Sequence, residues 1–139
     1  MRYIKNTIVF LAIVILAVVV SSCQKTADNK KVDYIVRGFT NPYSIVYLNK
    51  DGNSISEKIT PSGIEEEWVY SMEAKEGTPV YLYVKFISTP DVALDIISDR
   101  NFNAGIIVNG KYEYQRQGID KVTDDTIYEL KVSGIVPFN

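Results

Sequence analysis

The side chains of this 139-residue chain that could do chemistry are acidic and phenolic, for it has no histidine and a single cysteine. Without histidine it lacks the commonest general acid–base at neutral pH and the commonest metal ligand. Glu65-Glu66-Glu67, set against Asp51 or Asp91, has the composition of a glycosidase carboxylate pair. Contiguous acids on a strand alternate faces, however, and three in a row mark a solvated loop. Asn49, Asp51 and Asn53 have the alternate-position start of a calcium loop. Ser54 then stands where that loop requires glycine, and Thr60 where it requires glutamate. A hairpin turn accounts for them better. Asp120, Asp124 and Asp125 read as a loop rather than a metal site, and no serine has a histidine base or a G-x-S-x-G elbow. The sequence therefore assigns no catalytic residue, no metal site and no cofactor, and the expectation is a protein that is not an enzyme.

Tyrosine is the enriched side chain, with ten in all. Tyr81 with Tyr83, and Tyr112 with Tyr114, are spaced to share a strand face. Such pairs could stack on a sugar ring or a peptide, the alternative to ordinary cross-strand packing with the hydroxyl at the edge. No ligand-binding residue is assigned.

From Val32 onward, short alternating apolar runs are separated by turn signals about every ten residues, which predicts an all-β sandwich or barrel. The runs are Val32–Val36, Ile45–Leu48, Ser54–Thr60, Val80–Phe86, Ile106–Val108, Lys111–Tyr114 and Ile127–Val132, with Val92–Ile97 a further edge-strand candidate after Pro90. Gly52 closes one turn, and Asn109-Gly110 is a type I′ hairpin signal that aligns Val108 with Lys111 and Ile107 with Tyr112. Residues 62–76 admit two readings. Ser62-Gly63-Ile64-Glu65 has the spacing of a capping box ahead of a helix, whereas a strand puts Trp68, Tyr70 and Met72 inward. The strand is favoured because so small a sandwich needs it to cover its core. The expected fold is a small immunoglobulin-like β-sandwich of seven to nine antiparallel strands with Trp68 and Tyr47 buried.

The lone cysteine lies elsewhere. Arg2 and Lys5 precede thirteen apolar residues, Ile8–Val20, followed by Ser21, Ser22 and Cys23. A positive start, a short apolar run and small residues make a secretory signal, and thirteen residues are short for the roughly 20 that cross a bilayer. Setting Arg2 and Lys5 aside leaves 13 basic against 17 acidic residues, about −4, with no basic block. Such a domain has little with which to displace counterions from a phosphate backbone, so nucleic acid is not an expected partner.

Val20-Ser21-Ser22-Cys23 resembles the lipobox of bacterial lipoproteins. The resemblance implies cleavage before Cys23, a thioether-linked diacylglycerol on its sulfur, and acylation of its new amino group. It divides the chain into a signal peptide over 1–22, a lipidated cysteine with a polar tether over 23–31, and a β-sandwich domain over 32–139. Gln24 stands where an aspartate is associated with inner-membrane retention, and no acidic cluster follows. The resemblance therefore implies the periplasmic face of the outer membrane of a Gram-negative bacterium.

In order, Val32-x-Tyr34-x-Val36-x-Gly38, Ile45-Val46-Tyr47-Leu48-Asn49-x-x-Gly52, Trp68, Gly77-x-x-Val80-Tyr81-Leu82 and Ile106-x-Val108-Asn109-Gly110-Lys111 resemble the MmpS-type membrane-anchored accessory proteins and their small Bacteroidetes lipoprotein relatives. The resemblance implies a periplasmic β-sandwich that serves as an accessory or scaffold for another envelope component. Some relatives accompany export pumps of the resistance–nodulation–division class. This chain differs in having a lipobox instead of a retained helix, an additional segment over 88–103, and no second cysteine.

Overall fold

The computed structural model describes residues 28–63, 66–87, 102–118, 120–121 and 127–138. The lipobox-like segment with Cys23, the candidate strand Val92–Ile97, and Glu65, Asp91, Asp124 and Asp125 lie outside them. The described residues form nine strands and no helix. They are β1 (Asn29–Arg37), β2 (Tyr43–Leu48), β3 (Ser54–Ile59), β4 (Trp68–Lys75), β5 (Pro79–Ile87), β6 (Asn103–Val108), β7 (Lys111–Gln117), β8 (Asp120–Lys121) and β9 (Ile127–Ile135). One sheet has the order β4-β1-β6-β7 and the other β3-β2-β5-β9-β8, with every pairing antiparallel. The protein is thus a small all-β sandwich.

Period-two alternation builds the core. Val32, Tyr34 and Val36 of β1 face Ile45 and Tyr47 of β2, Val80, Leu82, Val84 and Phe86 of β5, and Leu130 and Val132 of β9 in one buried cluster. Each fully buried aliphatic side chain contributes about 1.5–3 kcal/mol relative to leaving it in water. The segment read two ways is strand β4. Met72 and Ala74 are buried, Trp68 and Tyr70 half-buried, and Val69, Ser71 and Glu73 exposed. Tyr47 is buried as expected, whereas Trp68 is only half-buried because β4 is the outermost strand of its sheet.

One boundary is corrected. Asn29, Lys30 and Lys31, assigned to the tether by their polarity, belong to β1, where they pair with Lys75, Ala74 and Glu73. Lys30 is in phase with Val32 and Tyr34, so its side chain points inward and is buried. Its Nζ lies 3.3 Å from Glu76 Oε1 and donates to the Pro137 carbonyl at 2.8 Å. A lysine can occupy this position because its methylene stem is apolar and its charge meets a carboxylate.

Several turns share the end of the sandwich at which β1 begins. Glu76 N donates to Asp28 O, and Asn109 N to Lys31 O at 2.9 Å. β5 starts just after the Gly77 turn, and Tyr47 pairs with Leu82, which directs the Asn49–Gly52 turn to the same end. The opposite end carries Arg37, Asn103 and Gln117.

Candidate functional site

The two flanks of the sandwich differ. On one, Tyr114 of β7 reaches across to β9 and closes the gap between the sheets. On the other, the outermost strands β3 and β4 have no pairing on their outer sides among the described residues and leave a half-covered seam. Ile55 and Ile59 from β3, with Trp68 and Tyr70 from β4, pack on the core while remaining partly open to solvent.

Tyr47 fills the floor of this seam. Its ring centroid lies 4.6 Å from Tyr70, 5.2 Å from Trp68 and 6.0 Å from Tyr34, tilted to each. Its hydroxyl donates to Glu57 Oε1 at 2.6 Å. Glu57 is in phase with Ile55 and Ile59, so an edge strand turns a carboxylate toward the sandwich and supplies its partner. Burial, then the hydrogen bond to Glu57, pushes the Tyr47 phenol well above its ordinary value. A phenol held neutral, a carboxylate that accepts its hydrogen bond and a half-buried indole make an amphipathic, aromatic surface. It can hold an extended segment by edge hydrogen bonds and side-chain packing. It contains no nucleophile beside a base.

The acidic candidates among the described residues are not brought together. Glu66 accepts hydrogen bonds from the Ser62 hydroxyl and N–H, which hold its carboxyl below the usual carboxylate range. Glu67 pairs with Arg37 at 3.0 Å, and Asp51 sits on the turn at the other end of the molecule. Asn49 Oδ1 accepts from the N–H groups of Asp51 and Asn53 at 3.0 and 2.9 Å. The spacing that resembles a calcium loop is therefore that of a side-chain-closed turn. No three acids or cysteines gather as a metal site among the described residues.

The tyrosine pairs divide. Tyr81 and Tyr83 share the outer face of β5, half-buried as expected. The Tyr83 ring faces Lys131 Nζ at 5.3 Å, and its hydroxyl donates to Glu129 at 3.2 Å. Tyr112 and Tyr114 do not share a face. A bulge shifts the β6–β7 register, so Ile107 opposes Tyr112 while Ile106 opposes Tyr114, leaving Glu113 as the extra residue. Tyr114 consequently turns inward with buried Ile106, and Tyr112 outward over Gly105. Alternation in sequence cannot reveal a bulge. Glu57 and Lys30, by contrast, were visible as polar residues in phase with apolar ones.

No family model matches the chain, and no curated protein sequence matches it.

Proposed function

We propose that this is a lipid-anchored cell-envelope protein, held through a diacylglyceryl group on Cys23 at the periplasmic face of the outer membrane, whose sandwich binds another envelope protein without catalysing a reaction. The observation that carries the binding half of this reading is the seam between β3 and β4. Two strand edges, unpaired among the described residues, flank half-buried Trp68 and Tyr70, and Val69 on the outer face of β4 is 48% exposed. Free edges and apolar side chains at one place suit strand addition by an extended partner segment. A sugar platform calls for open, coplanar rings, whereas Tyr47 and Trp68 are tilted by 56°. The lipobox carries the anchoring half, and the likeness to the MmpS-type proteins favours a transport complex as the setting.

Two experiments test the halves separately. Cys23→Ser should abolish labelling by a radioactive fatty acid and leave a full-length precursor; normal processing would overturn the anchor. A photo-crosslinking amino acid at Val69 should give a discrete protein adduct in intact cells, while one at Lys85 on the outer face of the other sheet should not. Equal behaviour at the two positions would remove the seam as the binding surface.

A further inference from the structure

If Cys23 carries lipid, the position of Asp28 decides which way the sandwich faces. Four residues, and so five Cα–Cα steps, separate Cys23 from Asp28. Fully extended, they span at most about 18 Å. A nine-residue strand such as β1 is about 30 Å long. The tether is shorter than the domain it holds, so the end where β1 begins stays near the bilayer.

That end has a composition suited to the position. Lys31, Lys50, Lys75 and Lys111 are all exposed there, interspersed with exposed Asp28, Asp51 and Glu73 and half-buried Asp33 and Glu113. Lys31 pairs with Asp33 at 3.1 Å, and Lys111 lies 3.8 Å from Glu113. Glu76 is taken up by buried Lys30. Phe138 is 67% exposed and rests on the Gly77 turn, where a Cβ would lie 2.8 Å from its ring. Between it and the Asn109 hairpin is a shallow depression of about 300 Å³, lined by Lys30, Val108, Asn109, Lys111, Glu113 and Phe138 among others. Interspersed ammonium and carboxylate groups around an exposed aromatic ring match a headgroup layer that carries both phosphates and ammonium groups.

We propose that this end of the sandwich is a lipid-facing surface, seated on the phospholipid headgroups of the leaflet that holds the anchor, with Phe138 at the interface and the four lysines among the phosphates. The inference rests on Cys23 being acylated. Seated this way, the domain holds the β3–β4 seam upright and clear of the bilayer, open to a partner.

The test uses full-length, acylated protein in vesicles of phosphatidylethanolamine and phosphatidylglycerol, with an environment-sensitive fluorophore on a cysteine introduced as Lys111→Cys, Lys50→Cys or Lys58→Cys. Lys58 lies on β3, paired with Ser44 toward the opposite end. Headgroup-nitroxide lipid should quench the first two at least threefold more than the third, and Phe138→Ser should reduce quenching at position 111 at least twofold. Protein that floats with the vesicles but is quenched equally at 111 and 58 overturns the inference alone. Protein that fails to float overturns the anchor, and the inference with it.

Discussion

The Tyr114 hydroxyl donates to the Ile135 carbonyl at 2.7 Å and accepts from the Ile135 N–H at 3.2 Å, while its ring lies flat on Gly134. β8 pairs with β9 only at Glu129 and Tyr128, so at Ile135 the edge of β9 away from β5 has no strand beside it among the described residues. A phenol from the other sheet takes the strand's place. The bulge at Glu113 makes this contact available by turning Tyr114 inward.

Gly134 and Tyr114 should therefore be energetically coupled. A Cβ at Gly134 would lie 2.1 Å from the Tyr114 ring, so Gly134→Ala displaces the ring and should cost about 2–3 kcal/mol. Tyr114→Phe keeps the ring and loses the hydroxyl bonds, at about 1–2 kcal/mol. Gly134→Ala in a Tyr114→Ala background should cost less than about 0.5 kcal/mol. Urea melts of the cycle check this, and additive costs would mean that the ring does not rest on the glycine.

The Asn109-Gly110 hairpin gives a cleaner measure of backbone strain. Asn109 has φ 49° and Gly110 φ 82°, and Val108 pairs with Lys111 as expected from sequence. A Cβ at Gly110 would meet nothing within 4 Å, so the cost of Gly110→Val is strain alone. It should be about 1–3 kcal/mol. Lys111→Ala should stay within about 0.5 kcal/mol, since its side chain is 80% exposed. Equal shifts in the two urea midpoints would contradict this account.

Local signals proved legible and register-breaking ones did not. Asn109-Gly110 needs a backbone that only a few residue types accept, and Val32, Tyr34 and Val36 need one buried face; both are properties of adjacent residues. The inward turn of Tyr114 depends on one unpaired residue in the strand opposite Ile106 and Ile107, a relationship between segments that alternation within either cannot report. The seam required knowing that β3 and β4, consecutive in the chain but in different sheets, are both outermost on one flank. Glu66 shows the limit of composition: its neighbours suggest paired carboxylates, but Ser62 takes it.

Lys30 and Glu76 form the one pair on the core side that the alternation of β1 could have flagged. Glu76→Gln leaves a buried ammonium with the Pro137 carbonyl but without this carboxylate and should cost about 3 kcal/mol or more, with Lys30→Met as the other single change. Lys30→Met with Glu76→Gln removes both charges and should cost clearly less than the sum of the single changes. Thermal or urea unfolding of the three variants decides it. Additivity would mean that the two charges do not interact.

Alkaline unfolding should report the buried phenols. Tyr34 is fully buried, and its hydroxyl faces the Tyr81 main chain without a well-formed hydrogen bond. Burial pushes its pKa up to about 12, the Tyr81 main chain offsetting part of the effect. Tyr83 is raised by burial and then by Glu129. An unfolded tyrosine ionises near 10. Below that pH both states are protonated and the phenols add no pH dependence. Above it the unfolded chain releases protons that the native state keeps, so stability falls as pH rises, for Tyr34 through about 12. Lys131, raised chiefly by its hydrogen bond to Glu129, loses its contribution in the same direction. Tyr34→Phe removes a buried hydroxyl without a good partner, so at pH 7 it should leave stability unchanged or raise it by up to about 1 kcal/mol. It should also flatten the fall in urea midpoint between pH 10 and 12. An unchanged alkaline slope in Tyr34→Phe would assign that loss to Tyr43, Tyr47, Tyr83 and Lys131 instead.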